Sequence, residues 1–571
     1  MAMALSAQQK RARKLREQKQ LNQQAEDVVG LSPLIGVSRD DIRDAVANMS
    51  RHFLRHPLHL IKHLAGYSGK IVDLTAGLEE RGVPQGDRRF KDDSWQDSGF
   101  YHWVLQAYLA LGESMDEWLA ELDLDSLDEQ KAQFVLSVIK DSLAPTNHLL
   151  TNPVALKKFR ATRGGSLIQG MRHLMDDMRN NHGMPSQVDK SQFEVGKNLA
   201  TTEGAVVFRN EVLELIQYSP LTSSVYQRPM LIVPPQINKY YILDLSPEKS
   251  LFKFLLQHGH RVFTVSWRNP TAELSSWGME HYIKALVQAV TAIKAITGQD
   301  SINISGACSG GITATILSSY LKQSGDSSIN SLSLSVCVLS QAVGDSEITA
   351  FASPDSIESA RRSSRKHGVL EGKDLSRVFN WMRPNDLVWS YVVNNYLMGS
   401  KPPAFDILYW NNDTTCLPAQ LHSDFLDILL SDPLATPGAL KIHDQGIDLQ
   451  ALDCDKYLVG GTTDHITPWH ACYRSTRILG GTVRFILSTS GHVQALVNPP
   501  GNPKASYLSN PENPARHEDW LAGAEKQPGS WWLDWHDWLA NRSGRKIRAS
   551  KKLGGKGYAP IEPAPGLYVR G

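Results

Sequence analysis

Six residues, Gly306-Ala-Cys-Ser-Gly-Gly311, restrict what this chain can fold into more than any other stretch. Ahead of them, Ser301 to Ser305 alternates polar and apolar residues in the manner of a half-buried strand. Behind them, Ile312 to Leu321 reads as a helix. A strand that turns this sharply into a helix packs the two closely together, and glycine is needed at the crowded points. Cys308 stands at the tip of the turn, at a helix N-terminus, where the dipole and unpaired N–H groups suit a nucleophilic sulfur. Such a sulfur attacks acyl groups and exchanges readily with thioesters. The plainer alternative is a buried cysteine packed as a small hydrophobe. Three glycines at a strand-to-helix switch argue against it.

Strand, Gly-flanked turn and helix make the nucleophile elbow of the α/β-hydrolase fold, G-x-S-x-G, here with a thiol in the nucleophile slot. The surrounding pattern agrees. Ala205 to Phe208 and Val212 to Tyr218 read as strands joined by a turn at Arg209-Asn210, and Pro229 to Val233 as a buried parallel strand. Arg261 to Trp267 and Leu332 to Leu339 are further strands, with a helix from Trp277 to Thr297. Strands alternating with helices imply a parallel sheet. The alternation stops between 341 and 444, the expected position of a cap or lid, and resumes with strands Lys456 to Val459 and Thr482 to Leu487.

The expected organisation has three parts. Residues 1–30 form a basic, partly disordered tail, with Lys10, Arg11, Arg13, Lys14, Arg16 and Lys19 among glutamines. Residues 31–200 form a mostly α-helical N-terminal domain. Its helices are expected after Ser38 (Ile42, Val46, Met49 and Phe53 on one face), then at Tyr101 to Leu111, Met115 to Leu122 and Asp128 to Leu143. Trp95, Trp103 and Trp118 are expected in its core. Residues 201–571 form the α/β-hydrolase catalytic domain, ending in packed Trp531, Trp532, Trp535 and Trp538 and a second basic tail, 542–571.

Two loops complete a candidate constellation. Asp464 and His465 follow the strand Lys456 to Val459, and His492 follows the next strand, in Ser488-Thr-Ser-Gly-His492. The chain order Cys308, Asp464, His492 is nucleophile, acid, histidine, and loops at the carboxyl ends of parallel strands converge on one crevice. His492 would take the thiol proton and Asp464 would orient it. His465 is the alternative base and is otherwise assigned a supporting role. The oxyanion hole is expected from the backbone N–H of Ser309 and a second N–H in Pro234-Pro-Gln-Ile-Asn-Lys239, with Ile237 the choice.

The remaining composition excludes more than it selects. Net charge is +1, so no global field attracts nucleic acid. No stretch approaches the roughly 18 apolar residues of a membrane span. Met1 to Gln9 lacks an apolar signal region, so the cytoplasm is expected. Cys308, Cys337, Cys416, Cys454 and Cys472 lack metal-ligand spacing, and Gly306 to Gly311 lacks the Lys-Ser/Thr of a phosphate loop. No metal and no cofactor are expected.

Several motifs in order resemble the polyhydroxyalkanoate synthases: the G-x-C-x-G-G box at 306–311, Asp87-Arg-Arg-Phe90, Pro234-Pro-Gln-Ile-Asn-Lys-Tyr240, Ser266-Trp-Arg-Asn-Pro270, Met382-Arg-Pro-Asn-Asp386, Tyr409-Trp-Asn411, Asp464-His-Ile-Thr-Pro-Trp469 and Ser490-Gly-His492. The box variant, with Glu203-Gly-Ala-Val-Val207 and Asp244-Leu-Ser-Pro-Glu-Lys249, is similar to the class II, pseudomonad type. The resemblance implies polymerisation of medium-chain (R)-3-hydroxyacyl-CoA into polyester, with CoA released and Cys308 carrying the acyl group. It implies a homodimer at the surface of cytoplasmic polyester granules, without a second kind of subunit. In the family the aspartate, here Asp464, is assigned chiefly to activating the 3-hydroxyl, which leaves two roles open for it. The competing readings are an acyl-CoA thioesterase on the same fold and a non-catalytic granule-coating protein.

Overall fold

The strands that the sequence alternates with helices assemble into one sheet of eleven. The computed structural model of the chain describes residues 57–84, 87–122, 124–342 and 354–571. The basic stretch 1–30 and the helix expected after Ser38 lie outside them.

In chain order the strands are β1 (Gly204–Arg209), β2 (Leu213–Tyr218), β3 (Met230–Val233), β4 (Val262–Trp267), β5 (Ile302–Ala307) and β6 (Ile329–Ser335). They continue with β7 (Asp455–Gly461), β8 (Val483–Ser488), β9 (Ser506–Ser509), β10 (Glu525–Pro528) and β11 (Glu562–Pro563). Their order across the sheet is β10-β9-β8-β7-β6-β5-β3-β4-β2-β1-β11. The run from β8 to β4 is parallel throughout, and antiparallel strands extend it on both sides.

Side chains alternate between the two faces with the period of two that a pleated strand imposes. Leu231, Leu458 and Phe485 enter one core layer, under the helix Met279–Thr297. Ile232, Tyr457, Val459 and Ile486 enter the other, with Trp531, Trp532, Trp535 and Trp538 from the helix Trp531–Ala540. Those four tryptophans are core, as their spacing predicts. The elbow strand departs from expectation. All six residues of β5 are buried, so its polar positions do not meet solvent. Asn303 accepts from Asn330 (2.8 Å) and Ser331 (2.8 Å) and donates to Ser543 (3.1 Å), which satisfies its buried amide.

Ahead of the sheet the chain is helical: α1 (Pro57–Thr75), α2 (Gly99–Ala120), α3 (Ser126–Leu143), α4 (Pro153–Ala161) and α5 (Gly165–Asn180). Asp125 caps α3 by accepting from the N–H groups of Leu127 and Asp128. The two helices expected at Tyr101 to Leu111 and Met115 to Leu122 are one, α2. An interior glycine costs only about 1 kcal/mol, and Leu105, Ala110, Trp118 and Leu119 are buried on both sides of Gly112. Trp95 and Trp118 are buried as expected, but Trp103 is 40% exposed. It lies on the outer side of α2 and donates to Thr75 of α1 at 3.2 Å.

The insertion between β6 and β7 carries the helices α6 (Pro354–His367), α7 (Gly372–Met382), α8 (Asp406–Asn411) and α9 (Ala419–Ser431). Two π-helical turns, Asn385–Trp389 and Val392–Leu397, lie between α7 and α8. The stretch 542–571, expected as a tail, is woven into the fold. Lys546–Arg548 pairs with Ser224–Tyr226, and β11 pairs with β1. Glu214, fully buried on β2, accepts the N–H groups of Leu567 (3.1 Å) and Tyr568 (3.0 Å). The reason is pairing: Lys546 and Arg548 lie in a strand of a separate two-stranded sheet, and Glu562 and Pro563 pair along the edge of the main one.

Candidate active site

Strand β5 ends at Ala307 and the helix Ser309–Gln323 begins two residues later. Cys308 occupies the turn with φ 50° and ψ −126°, a conformation that costs a non-glycine residue about 1–3 kcal/mol and is typical of functional turns. The glycines around it are steric requirements. A Cβ on Gly306 would stand 2.6 Å from the Gly310 carbonyl oxygen, and one on Gly310 would stand 2.4 Å from those of Val233 and Pro234. One on Gly311 would meet the Cys337 sulfur at 2.7 Å.

Because β5, β7 and β8 run parallel, the segments after them converge. Asp464 follows β7 and His492 opens a short helix after β8. His492 Nδ1 lies 2.8 Å from Asp464 Oδ2, and the Cys308 side chain is near enough to bear on the charge of the same ring. Thus the structure brings all three residues together, with His492 and Asp464 hydrogen-bonded and Cys308 beside them.

The carboxyl of Asp464 is shut away from solvent and fully engaged. Its Oδ1 accepts the N–H groups of Ile466 (2.9 Å) and Thr467 (2.9 Å), and its Oδ2 accepts the Thr467 hydroxyl (2.7 Å) as well as His492. Burial works against its charge, yet the His492 cation and these bonds hold the carboxyl below its ordinary range. Burial likewise disfavours a charged His492. The Asp464 charge, its hydrogen bond and the nearby Cys308 side chain overcome this and raise the imidazole to about 10.

The neighbouring cysteines are of another kind. Cys337 and Cys472 are buried, and burial pushes both thiols well up. Cys308 is half-exposed. His465 points elsewhere. Burial and the nearby Arg383 cation depress it to about 4, and its Nδ1 is buried without a partner. It is therefore neutral and electrostatically adjacent to Asp464.

The loop after β3 lies against the first turn of the helix that Cys308 caps. Gln236 N–H donates to Ser309 Oγ (3.2 Å), its Nε2 donates to Thr313 (2.8 Å), and Trp267 Nε1 holds the Pro234 carbonyl (2.9 Å). Ile237 follows directly, half-buried against the core. The insertion closes over this loop: Trp410 Nε1 donates to the Lys239 carbonyl (2.6 Å) and Thr415 to that of Gln236 (2.9 Å). Sequence reasoning had not singled out Thr467 or Gln236, although both lie inside motifs it quoted. Among the described residues no group of three or more His, Cys, Asp or Glu could hold a metal ion. Nor is any described helix long and apolar enough to cross a membrane.

Chemically, a half-exposed thiol, a strongly basic imidazole and a buried carboxylate can form and break an acyl thioester. The chain is similar to known proteins along nearly its whole length. Residues 86–255 match the family described as poly-beta-hydroxybutyrate polymerase (PhaC) N-terminus, and residues 229–499 match the alpha/beta hydrolase fold. Poly(3-hydroxyalkanoate) polymerase 1 of Ectopseudomonas oleovorans is 46% identical over 96% of this chain and 98% of its own. Polymerase 2 of the same organism is 46% identical over 94% and 96%. The polymerase subunit PhaC of Cupriavidus necator is 39% identical over 89% and 87%. The chain belongs to the poly(3-hydroxyalkanoate) polymerases, acyltransferases on the α/β-hydrolase fold, on the class II side that its motifs resemble.

Proposed function

We propose that this polymerase extends its polyester through an acyl group carried on Cys308, using medium-chain (R)-3-hydroxyacyl-CoA. The observation that carries the reading is the His492–Asp464 hydrogen bond placed beside Cys308 at its strained elbow. His492 holds the proton drawn from the thiol as an imidazolium, and the thiolate sulfur attacks the CoA thioester carbonyl. The C–S bond to CoA breaks, and the imidazolium returns its proton to the departing CoA thiolate. His492 then takes the proton of a 3-hydroxyl on the growing chain. That oxygen attacks the acyl-Cys308 thioester, an ester bond forms, and the thiol is restored.

Each attack builds negative charge on a carbonyl oxygen. The N–H of Ser309, at the first helical position and so without an intrahelical partner, is one donor in this reading and Ile237 N–H the second. One such donor is worth about 10²–10³ in rate. Asp464 acts on His492, because its oxygens are occupied and its side chain is buried. His465 supports the Asp464 loop in its neutral form. The medium-chain preference rests on likeness to the class II enzymes, as do a homodimeric state and a place on cytoplasmic polyester granules.

The test compares CoA release from (R)-3-hydroxydecanoyl-CoA and 3-hydroxybutyryl-CoA, with the product recovered as polymer or free acid. Polymer from the ten-carbon substrate, absent in Cys308→Ala, is expected. CoA release with only soluble hydroxy acid would mean a thioesterase.

A further inference from the structure

Gln187 belongs to the segment between α5 and the sheet, yet both ends of its side-chain amide are bonded to the cap. The residue is 4% exposed. Its Nε2 donates to the Leu387 carbonyl (2.7 Å), in the first π-helical turn, and its Oε1 accepts from Asn412 Nδ2 (3.1 Å), just past α8. Each point lies near a residue that touches the surroundings of the site. The Leu387 turn follows Arg383, whose cation bears on His465. Asn412 lies between Trp410 and Thr415, the two residues that grip the carbonyls of Lys239 and Gln236.

The amide offers a donor and an acceptor on one planar group, which neither an ionised carboxylate nor a hydrocarbon can do. Breaking such buried bonds leaves donors and acceptors unsatisfied in the interior. Neighbouring contacts point the same way. Asn395, 1% exposed, donates to the Ser186 carbonyl (2.7 Å), and the Tyr396 hydroxyl donates to Asp177 (2.9 Å). A Cβ on Gly170 of α5 would stand 1.9 Å from the Tyr396 carbonyl oxygen. The helical part thus seats both π-helical turns, a conformation that is rare and concentrated at functional sites.

We propose that Gln187 is a positioning residue for polymerisation, tying the Leu387 turn to the Asn412 corner and so holding the cap and the Pro234–Lys239 loop in register over Cys308. The proposal rests on Cys308 as the acyl-carrying residue.

The test compares the full chain with Gln187→Met, and with Asp125→Ala as a control that removes the α3 cap. Two quantities are measured well below the melting temperature of each variant. One is the rate at which iodoacetamide alkylates Cys308, followed by peptide mass. The other is the pair kcat and KM for CoA release from (R)-3-hydroxydecanoyl-CoA. In Gln187→Met, Cys308 should alkylate several-fold faster and kcat should fall about tenfold or more, with KM moving less, because reacting groups misplaced by ~1 Å lose that much. Asp125→Ala should change neither. Equal behaviour of the two variants would overturn the proposal. If Gln187→Met does not fold, Asn412→Ala breaks the same bond from the cap side and decides by the same two readouts. Alkylation reports the exposure of Cys308, not its role, so retained activity in Cys308→Ala would sink the reading of the nucleophile while leaving this test intact.

Discussion

The hydroxyl of Thr467 lies 3.1 Å from His492 Nδ1, and both groups are bonded to the same oxygen of Asp464. The three atoms close a triangle that leaves the imidazole no rotation about its anchored edge. Thr467→Val keeps the shape and removes one corner, leaving only the His492–Asp464 side. CoA release should fall about 10- to 100-fold, a loss of about 1.5–3 kcal/mol for a hydrogen bond to a charged group, and Thr467→Ser should restore most of it. Steady-state kinetics on the two variants decide this.

Cys308→Ala should abolish polymer formation, a drop of at least about 10³-fold in kcat, since residues acting as a unit fail together. Cys337→Ala and Cys472→Ala should retain most activity, because those thiols are buried and far up in pKa. Activity in the Cys308 variant, or its loss in both of the others alone, would contradict the assignment of the nucleophile.

Asp464 has no oxygen free to reach an incoming hydroxyl. Asp464→Asn and His492→Gln should therefore both impair acylation of Cys308, measured as protein-bound acyl groups in a single turnover. An Asp464→Asn variant that acylates normally but fails to elongate would assign the carboxylate to the hydroxyl.

Stability should carry the signature of the ion pair. The folded value for His492, about 10, lies above its ordinary 6.5. Its contribution is complete below pH 6.5 and is lost as pH rises from there through about 10. Asp464 is shifted down, so its contribution is lost at the acid end, as pH falls through its depressed value. Melting temperature should thus decline between pH 7 and 10 more steeply in the parent chain than in His492→Gln. Parallel profiles would count against the pair.

Gly310→Ala should destabilise the chain by about 1–3 kcal/mol or more, since the new methyl meets two backbone carbonyls at 2.4 Å. Urea unfolding measures it. Because those carbonyls belong to Val233 and Pro234, activity should fall with stability.

The elbow and the order of its partners were legible because each is a local motif at a strand end, and strand order then fixes where the ends meet. Position of the three side chains follows from that alone. The polar face of β5 misled because alternation reports two environments, not which of them is water; Asn303 finds its partners on Asn330, Ser331 and Ser543. Gly112 misled because local cost was outweighed by burial on either side of it. The stretch 542–571 reads as a tail by composition, and its register with Ser224–Tyr226 and with β1 is set by strands hundreds of residues earlier. Gln187 could not be read at all, since both its partners lie in the cap.

The arrangement at the outer side of β1 bears on how the chain matures. Ala205 and Val206 are paired there only by Pro563 and Glu562, with Gly204 and Val206 receiving the N–H groups of Ala564 and Ile561. As the ribosome extrudes the polypeptide from its N-terminal side, β1 emerges well before residues 561–564 that cover it. During that interval the strand offers bare N–H and C=O groups, the kind of edge that recruits another chain. Cleavage just ahead of Ile561 would restore that hazard permanently, so it should yield aggregates sooner than it yields a smaller enzyme.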